Sequence, residues 1–270
     1  MSRQTRPLEA LTFHLTMWGL AGLACLLLIF PTLVVVIVSF TSGYSLKFPP
    51  PGYSFRWYVA LLDAWQLHFA AANSFKVALW TTTIAVLLGV AASLAIARSE
   101  KWTARVLDSL FMSPLVLPAL AFGLASLMFF SVIGLPISLA TLIIGHTVVC
   151  VPYVVRTTVA ALAQLNPTLL ESSASLGASK FYTFQRITLP LVLPGILAGA
   201  FIAFMSSFDN VPVSLFLRDA RTDMLPIRMW QDLEGRLDVT IAAVSGVLIA
   251  ITILALIVME RIAGLSRRIR

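Results

Sequence analysis

The sequence predicts an all-α integral membrane protein with six transmembrane helices. Three observations lead there. Of 270 residues, 59% are apolar and only 11% are charged, with a mean hydropathy of +0.93; soluble domains carry roughly 25% charged residues. The apolar residues gather in runs long enough to cross a bilayer core, which takes about 20 residues. The basic residues, which leave a net charge of +7, are scattered through short connections. That scatter reads as membrane topology. A nucleic-acid surface needs its basic residues gathered on one face, so lipid is an expected partner and nucleic acid is not.

Each element can be justified in order. Residues 1–16, MSRQTRPLEALTFHLT, are polar and basic. The apolar run that follows, from about Met17 to Phe40, is too long for a signal-peptide core and shows no convincing cleavage site, so it is expected to stay as a span. Six segments qualify: 17–41, 72–97, 108–131, 138–163, 191–217 and 239–262. The stretch 109–155 carries no Asp, Glu, Lys or Arg. It is too long for one span, and Gly134, Pro136 and Ser138 supply the turn between two. The other boundaries are KFPPPGYSFRWY, RSEKWTAR, the insert at 164–190 and RDARTDMLPIRMWQDLEGRLD. The organisation is thus a cytoplasmic N-terminus 1–16, a membrane domain 17–262 and a cytoplasmic C-terminus 263–270. No internal repeat or separate soluble domain is visible.

The cytoplasmic assignment rests on Lys and Arg. With the N-terminus inside, twelve of the nineteen basic residues fall on the inner side, among them Arg98, Lys101, Lys180, Arg186 and Arg261. The outer side holds seven, four of them in 218–238. Those four interleave with Asp219, Asp223, Asp232, Glu234 and Asp238, so this outer loop is expected to be folded and ion-paired. Cys25 and Cys150 lie in apolar runs and read as small buried hydrophobes, with no disulfide framework or metal site.

Several chemistries are missing. There is no G-x-x-x-x-G-K-[ST] phosphate loop and no H-E-x-x-H. His14, His68 and His146 are far apart. His146 lies within the fourth span, where it reads either as a proton or substrate contact or as a neutral imidazole hydrogen-bonded to a neighbouring helix; the second is preferred. Asp209, in FMSSFDNVPVSLF, is the prominent intramembrane charge. Ser206, Asn210 and Ser214 recur at i, i+4 and i+8, with Asp209 at i+3, so a continuous helix would align them as one polar stripe. Pro212 is expected to kink the helix just beyond. A carboxylate facing lipid costs several kcal/mol. The stripe therefore lines a solute pathway suited to cations or anchors a neighbouring helix, and the pathway reading is preferred. Asp209 lies about 15 residues past Pro194, roughly 22 Å along a helix axis and in the outer half of a core about 30 Å thick.

The insert ESSASLGASKFYTFQRITLP, residues 171–190, is polar and structured. Asn166 and Pro167 suit a helix start, Gly177 suits its stop, and Ser179 can cap a second short helix that Pro190 interrupts. Leu169, Leu170, Leu176, Phe181 and Phe184 are more apolar surface than so small a piece can bury, which suits a bilayer surface or a groove on another protein.

The spacing of these residues resembles the E-A-A-x3-G-x9-I-x-L-P motif of the integral-membrane permease subunits of binding-protein-dependent ABC importers. Glu171 opens it, Gly177 falls on its glycine, and Ile187, Leu189 and Pro190 fall on I-x-L-P; Ser172 and Ser173 replace the two alanines. The resemblance covers roughly residues 70–265. It implies a type I ABC importer permease fold in a bacterial inner membrane, with 164–190 as a cytoplasmic coupling helix seated in a cytoplasmic ATPase dimer. It also implies a second permease subunit, a related chain in preference to an identical copy, and an extracytoplasmic solute-binding protein. No cofactor is implied on this chain; ATP and Mg belong to the ATPase.

Within the family, SFDNVPVSLFL and PLVLPALAFGLASL resemble stretches of spermidine/putrescine permeases, which implies a polyamine or other cationic amine as the solute, with Asp209, Asn210 and Ser206 on its path. The subgroup also resembles permeases for opines, aminophosphonates, ferric iron and thiamine. A secondary transporter is the rival class, but it would normally show coupling-ion machinery and often repeated halves. An embedded enzyme would need converging catalytic groups.

The topology has a direct test. In a chain lacking Cys25 and Cys150, the single substitutions Thr5→Cys, Ser179→Cys and Thr222→Cys are exposed to an impermeant thiol reagent on cells with a permeable outer barrier. Only the cysteine at 222 is expected to react, and labelling at 179 would invert the topology.

Overall fold

A computed structural model of the chain describes residues 7–219, 221–236 and 239–263. The expected cytoplasmic ends therefore fall outside the described residues at 1–6 and 264–270, as do 220, 237 and 238 of the outer loop. Among the described residues the regular structure is helical, apart from a lone antiparallel bridge between Thr41 and Tyr53. The chain divides into two units, Met1–Ala64 with Asp232–Ile251 and Trp65–Gln231 with Thr252–Arg270.

In the first unit, helix α1 (Pro7–Ser39) carries a 29-residue apolar segment, Leu11–Ser39, of which only 6% of the most apolar window is buried. Cys25 is accordingly exposed, not buried as its apolar neighbours suggested. Burial begins at the end of the helix, where the Ser39 hydroxyl lies 2.7 Å from the Tyr58 hydroxyl on α2 (Arg56–Leu62). At the start of α2, the Arg56 guanidinium sits 4.0 Å over the Tyr44 ring and donates to the Ser42 carbonyl at 2.8 Å. The final helix, α12 (Thr240–Ala263), begins in this unit and ends in the other.

The second unit is built on α3 (Trp65–Arg98), α6 (Leu139–Ala163) and α9 (Leu189–Phe208), which pack on one another. Their shared core includes Ala85, Ala92, Cys150, Val154, Val155 and Ala203. Small residues suit this place because helices in lipid associate through close packing, not through expulsion of water. Gly199 shows how close: a β-carbon there would lie 2.3 Å from Thr157 Oγ1 and 2.9 Å from Val154 Cα.

Prolines shape the remaining elements. The segment 108–131, expected as one straight span, is two helices, α4 (Lys101–Val116) and α5 (Ala119–Val132), bent by 99°. Pro118 cannot donate a backbone hydrogen bond, and it forces Leu117 into an extended conformation (φ −74°, ψ 142°). Among the described residues five helices are long and apolar enough to cross a membrane, and the bent pair makes a sixth if it counts as one span.

The fifth span, 191–217, is not one kinked helix either. It stops at Phe208 and restarts as α10 (Val211–Leu217). The break precedes Pro212, because a proline disrupts the hydrogen bond and the space of the residue four before it. Asn210 then caps α10, its side-chain oxygen accepting from the Val213 N–H at 2.9 Å.

Pro190 gives the opposite outcome. The expected interruption is absent: a π turn at Phe184–Thr188 carries the chain from α8 (Lys180–Thr183) into α9, one apolar helix from Lys180 to Phe208. Pro190 lies in the first turn of α9.

The loop after α10 is folded, as its interleaved charges suggested. Arg218 pairs with Asp223 at 2.8 Å. The Asp219 carboxylate accepts from the Thr222 hydroxyl and from the backbone N–H groups of Arg221 and Thr222, which together hold it below its ordinary range. The Asn73 amide donates to the carbonyls of Arg221 and Asp223, and the Ser74 hydroxyl accepts from the Leu225 N–H at 2.9 Å. These bonds seat Met224 and the start of α11 (Leu225–Arg236), with Leu225 and Ile227 buried.

Gly199→Leu is expected to destabilise the purified chain by about 1–3 kcal/mol, as overpacking of a tight core does. Gly22→Leu, whose β-carbon meets nothing within 4 Å, should leave the melting temperature unchanged in the same detergent. Equal melting of both variants would contradict the close approach of α6 and α9.

Candidate functional site

Two places combine polar groups with a break in regular structure. One is the insert. Helix α7 (Pro167–Ser175) starts at Asn166, whose side chain accepts from the Thr168 N–H at 3.0 Å. It ends at Gly177 with φ +77°. There the Ala178 N–H reaches back to the Ser173 carbonyl and the Gly177 N–H to the Ala174 carbonyl, at 3.1 and 3.0 Å. This is the double-bonded helix terminus that a left-handed residue makes, and glycine enters that conformation without a β-carbon clash. Ser179 then starts α8, accepting from the Tyr182 N–H at 3.2 Å.

The two short helices are joined by a hydrogen bond. The Ser173 and Thr183 hydroxyls lie 2.7 Å apart, and Ser173 is buried. Ser173 is one of the two serines standing where the motif has alanine, so the departure from the motif adds a polar link inside the insert. Glu171 and Gly177 are exposed, Ile187 and Leu189 half-buried, and Pro190 exposed at the root of α9. Leu169, Leu170, Phe181 and Tyr182 are exposed, and Leu176, beside Gly177, is 88% exposed. The insert thus presents a rigid, apolar, knob-like surface with one carboxylate.

The other place is the break between α9 and α10. Asp209 leaves the helix (φ −101°, ψ 17°), and its side chain is exposed. Asn210 is half-buried, with its oxygen committed to the cap of α10. Ser206, half-buried, faces the Cys150 thiol on α6. The break separates Ser214 from the other three, so the expected stripe does not form as one line. Here α9 ends with carbonyl groups whose aligned dipoles carry partial negative charge, and Asp209 adds a formal one. Local negative charge of this kind attracts cations. Among the described residues no group of three His, Cys, Asp or Glu side chains could hold a metal ion.

Sequence reasoning missed the role of Ser207 and misplaced that of Ser214. His146 is fully buried on α6. Its Nδ1 lies 2.9 Å from Ser207 Oγ and its Nε2 lies 3.0 Å from Ser214 Oγ. The preferred reading, hydrogen bonding to a neighbouring helix, thus holds for two helical segments at once. A neutral imidazole suits this arrangement, donating from one nitrogen and accepting at the other. Periodicity carried no signal for this pairing, because Ser207 and Ser214 lie on two helices with a break between them.

Residues 85–270 match the family described as the binding-protein-dependent transport system inner membrane component. Over 233 residues the chain is 27% identical to the spermidine/putrescine transport system permease protein PotC of Haemophilus influenzae, covering 86% of this chain and 90% of that one. It is 32% identical over 215 residues to the molybdenum transport system permease protein ModB of Mycobacterium bovis, covering 74% and 80%. The fold is similar to that in the crystal structure of a bacterial alginate ABC transporter in complex with an alginate pentasaccharide-bound periplasmic protein, with a TM-score of 0.72 and 17% identity over 99% of this chain and 98% of that one. With the family match spanning most of its length, and with the helical bundle and surface insert described above, the chain belongs to the binding-protein-dependent transport system inner membrane components, the permease subunits of ABC importers.

Proposed function

We propose that this permease moves a polyamine or other cationic amine, delivered by an extracytoplasmic binding protein, across the bacterial inner membrane. One observation carries the choice of solute: the exposed Asp209 carboxylate stands at a helix break, next to the carbonyl end of α9. An ammonium group leaving water meets a low dielectric, and a nearby carboxylate with carbonyl dipoles offsets part of that cost. Discontinuous helices serve solute and ion sites in other transporters for the same reason. The similarity to PotC supports the reading. The similarity to ModB leaves other cargoes in play, but an anionic solute would be repelled by the same carboxylate. Asn210 and Ser206 add neutral hydrogen-bonding groups near the break.

Energy enters at the insert. Glu171, Gly177, Ile187, Leu189 and Pro190 form the contact with a cytoplasmic ATPase dimer, which binds the ATP and Mg. The exposed Leu176 and Phe181 are the side chains a groove would bury. A second, related permease chain completes the pathway, and both termini of this chain are cytoplasmic.

The coupling half is tested in the reconstituted importer. Gly177→Val places a β-branched residue in the left-handed region, at a cost of about 1–2 kcal/mol, and Glu171→Lys reverses the one carboxylate of the knob. Both variants should insert normally yet lose ATPase retention or solute-stimulated hydrolysis. Retention and stimulation at wild-type levels in both would remove the coupling assignment.

The solute half is tested by Asp209→Asn. Uptake of spermidine or putrescine is expected to fall at least about tenfold, equivalent to about 1.4 kcal/mol, with the ATPase still bound. Wild-type uptake at normal protein levels would end the cation reading. Loss of uptake in proportion to lost protein would make Asp209 a structural anchor.

A further inference from the structure

We infer that His146 is a positioning residue for the solute pathway: it staples the two halves of the broken helix and thereby sets where Asp209 and Asn210 stand. This rests on the pathway reading above only in what the positioned groups do, not in the staple itself.

The argument starts with α10. It has seven residues, and a helix so short does not persist on its own. It is also not a continuation of α9, because Asp209 and Asn210 adopt non-helical conformations. Something outside the helix must fix the angle and separation of the two pieces. Close packing holds α10 itself, on α5 at Gly123 against Pro212 and on α6 at Gly145 against Val213 and Leu217, but these contacts do not reach across the break to α9. Hydrogen bonds do.

The imidazole of His146 supplies a bond on each side of the break, to Ser207 in the last turn of α9 and to Ser214 in α10. Its two nitrogens sit at fixed places on one rigid ring, and the ring is carried by α6, which packs on α9 and α10. Ser207 and Ser214 are therefore held at a set spacing, and the residues between them inherit it. Two of those residues are Asp209 and Asn210. Any buried neutral imidazole needs a partner at each nitrogen, and both could have come from one continuous helix. Here the two partners lie on different helices and bracket the break. Each serine could satisfy its own hydroxyl on a carbonyl one turn back, so neither needs the ring. It is the break that does.

The test separates geometry from solute chemistry. Asp209→Cys is introduced into a chain carrying Cys25→Ser and Cys150→Ala. The importer is assembled in nanodiscs, open to reagent from both sides, and the rate of reaction with a small cationic methanethiosulfonate is measured. His146→Leu, apolar and of similar bulk, should change that rate at least about fivefold, while His146→Gln, whose amide keeps a donor and an acceptor, should restore most of it. In the chain retaining Asp209, His146→Leu should raise the apparent KM for spermidine about tenfold while kcat stays within about twofold, the pattern of lost binding rather than lost turnover.

An unchanged labelling rate in His146→Leu, or an equal change in the Leu and Gln variants, overturns the staple. If His146→Leu does not accumulate, Ser207→Ala and Ser214→Ala each remove one arm, and wild-type labelling rates in both overturn it equally. A changed labelling rate with an unchanged spermidine KM would uphold the staple and reject the cation pathway.

Discussion

Inside a bilayer there is no water to accept a backbone hydrogen bond. Every peptide group must find a partner within the protein, and an open break in a helix costs several kcal/mol for each orphaned group. The structure is organised by where this chain departs from unbroken helices and how each departure is covered. Two departures are set by proline, Pro118 at the 99° bend between α4 and α5 and Pro212 beyond the gap at 209–210, and a third is the π turn at 184–188. The π turn keeps the helix continuous by widening one turn. The gap is covered by Asn210, which caps the new helix, and by His146, which ties both halves to α6.

The compact trio of α3, α6 and α9 makes such breaks tolerable. Its contacts are made by alanine, valine and glycine, so backbones approach closely and dispersion forces act over a long seam. Local geometry at a break can then be fixed by a few hydrogen bonds, because the helices that carry them do not shift. The same logic reaches the loop after α10, where Asn73 and Ser74, both on α3, hold the backbone of residues 221–225.

Much of this was legible in the residues. Span positions follow from apolar run length, which reports a thickness and needs no tertiary information. The caps at Asn166 and Ser179 and the terminus at Gly177 are local rules, and each appears where its residue type requires. The breaks were harder. Pro118 and Pro212 were visible, but whether a proline bends, stops or sits harmlessly in a first turn depends on what covers the freed carbonyl. Pro190 shows the harmless case. The polar stripe was misread for the same reason: periodicity assumes a continuous helix, and two residues out of register at 209–210 reassign Ser214 to His146. The Ser173–Thr183 link was invisible because it joins residues across a turn whose geometry only the folded insert defines.

The uneven burial of the spans bears on how the protein is made. The span of helix α1 is the more apolar and only 6% buried, whereas that of α6 is less apolar and 56% buried. The first can settle into lipid alone, as soon as it is synthesised. The second carries a histidine, a proline and several threonines that are comfortable only once α3 and α9 surround them. Membrane integration of α6 is therefore a collective event that must wait for a helix translated later. Until α9 arrives, the polar groups of α6 that face it lack their partners.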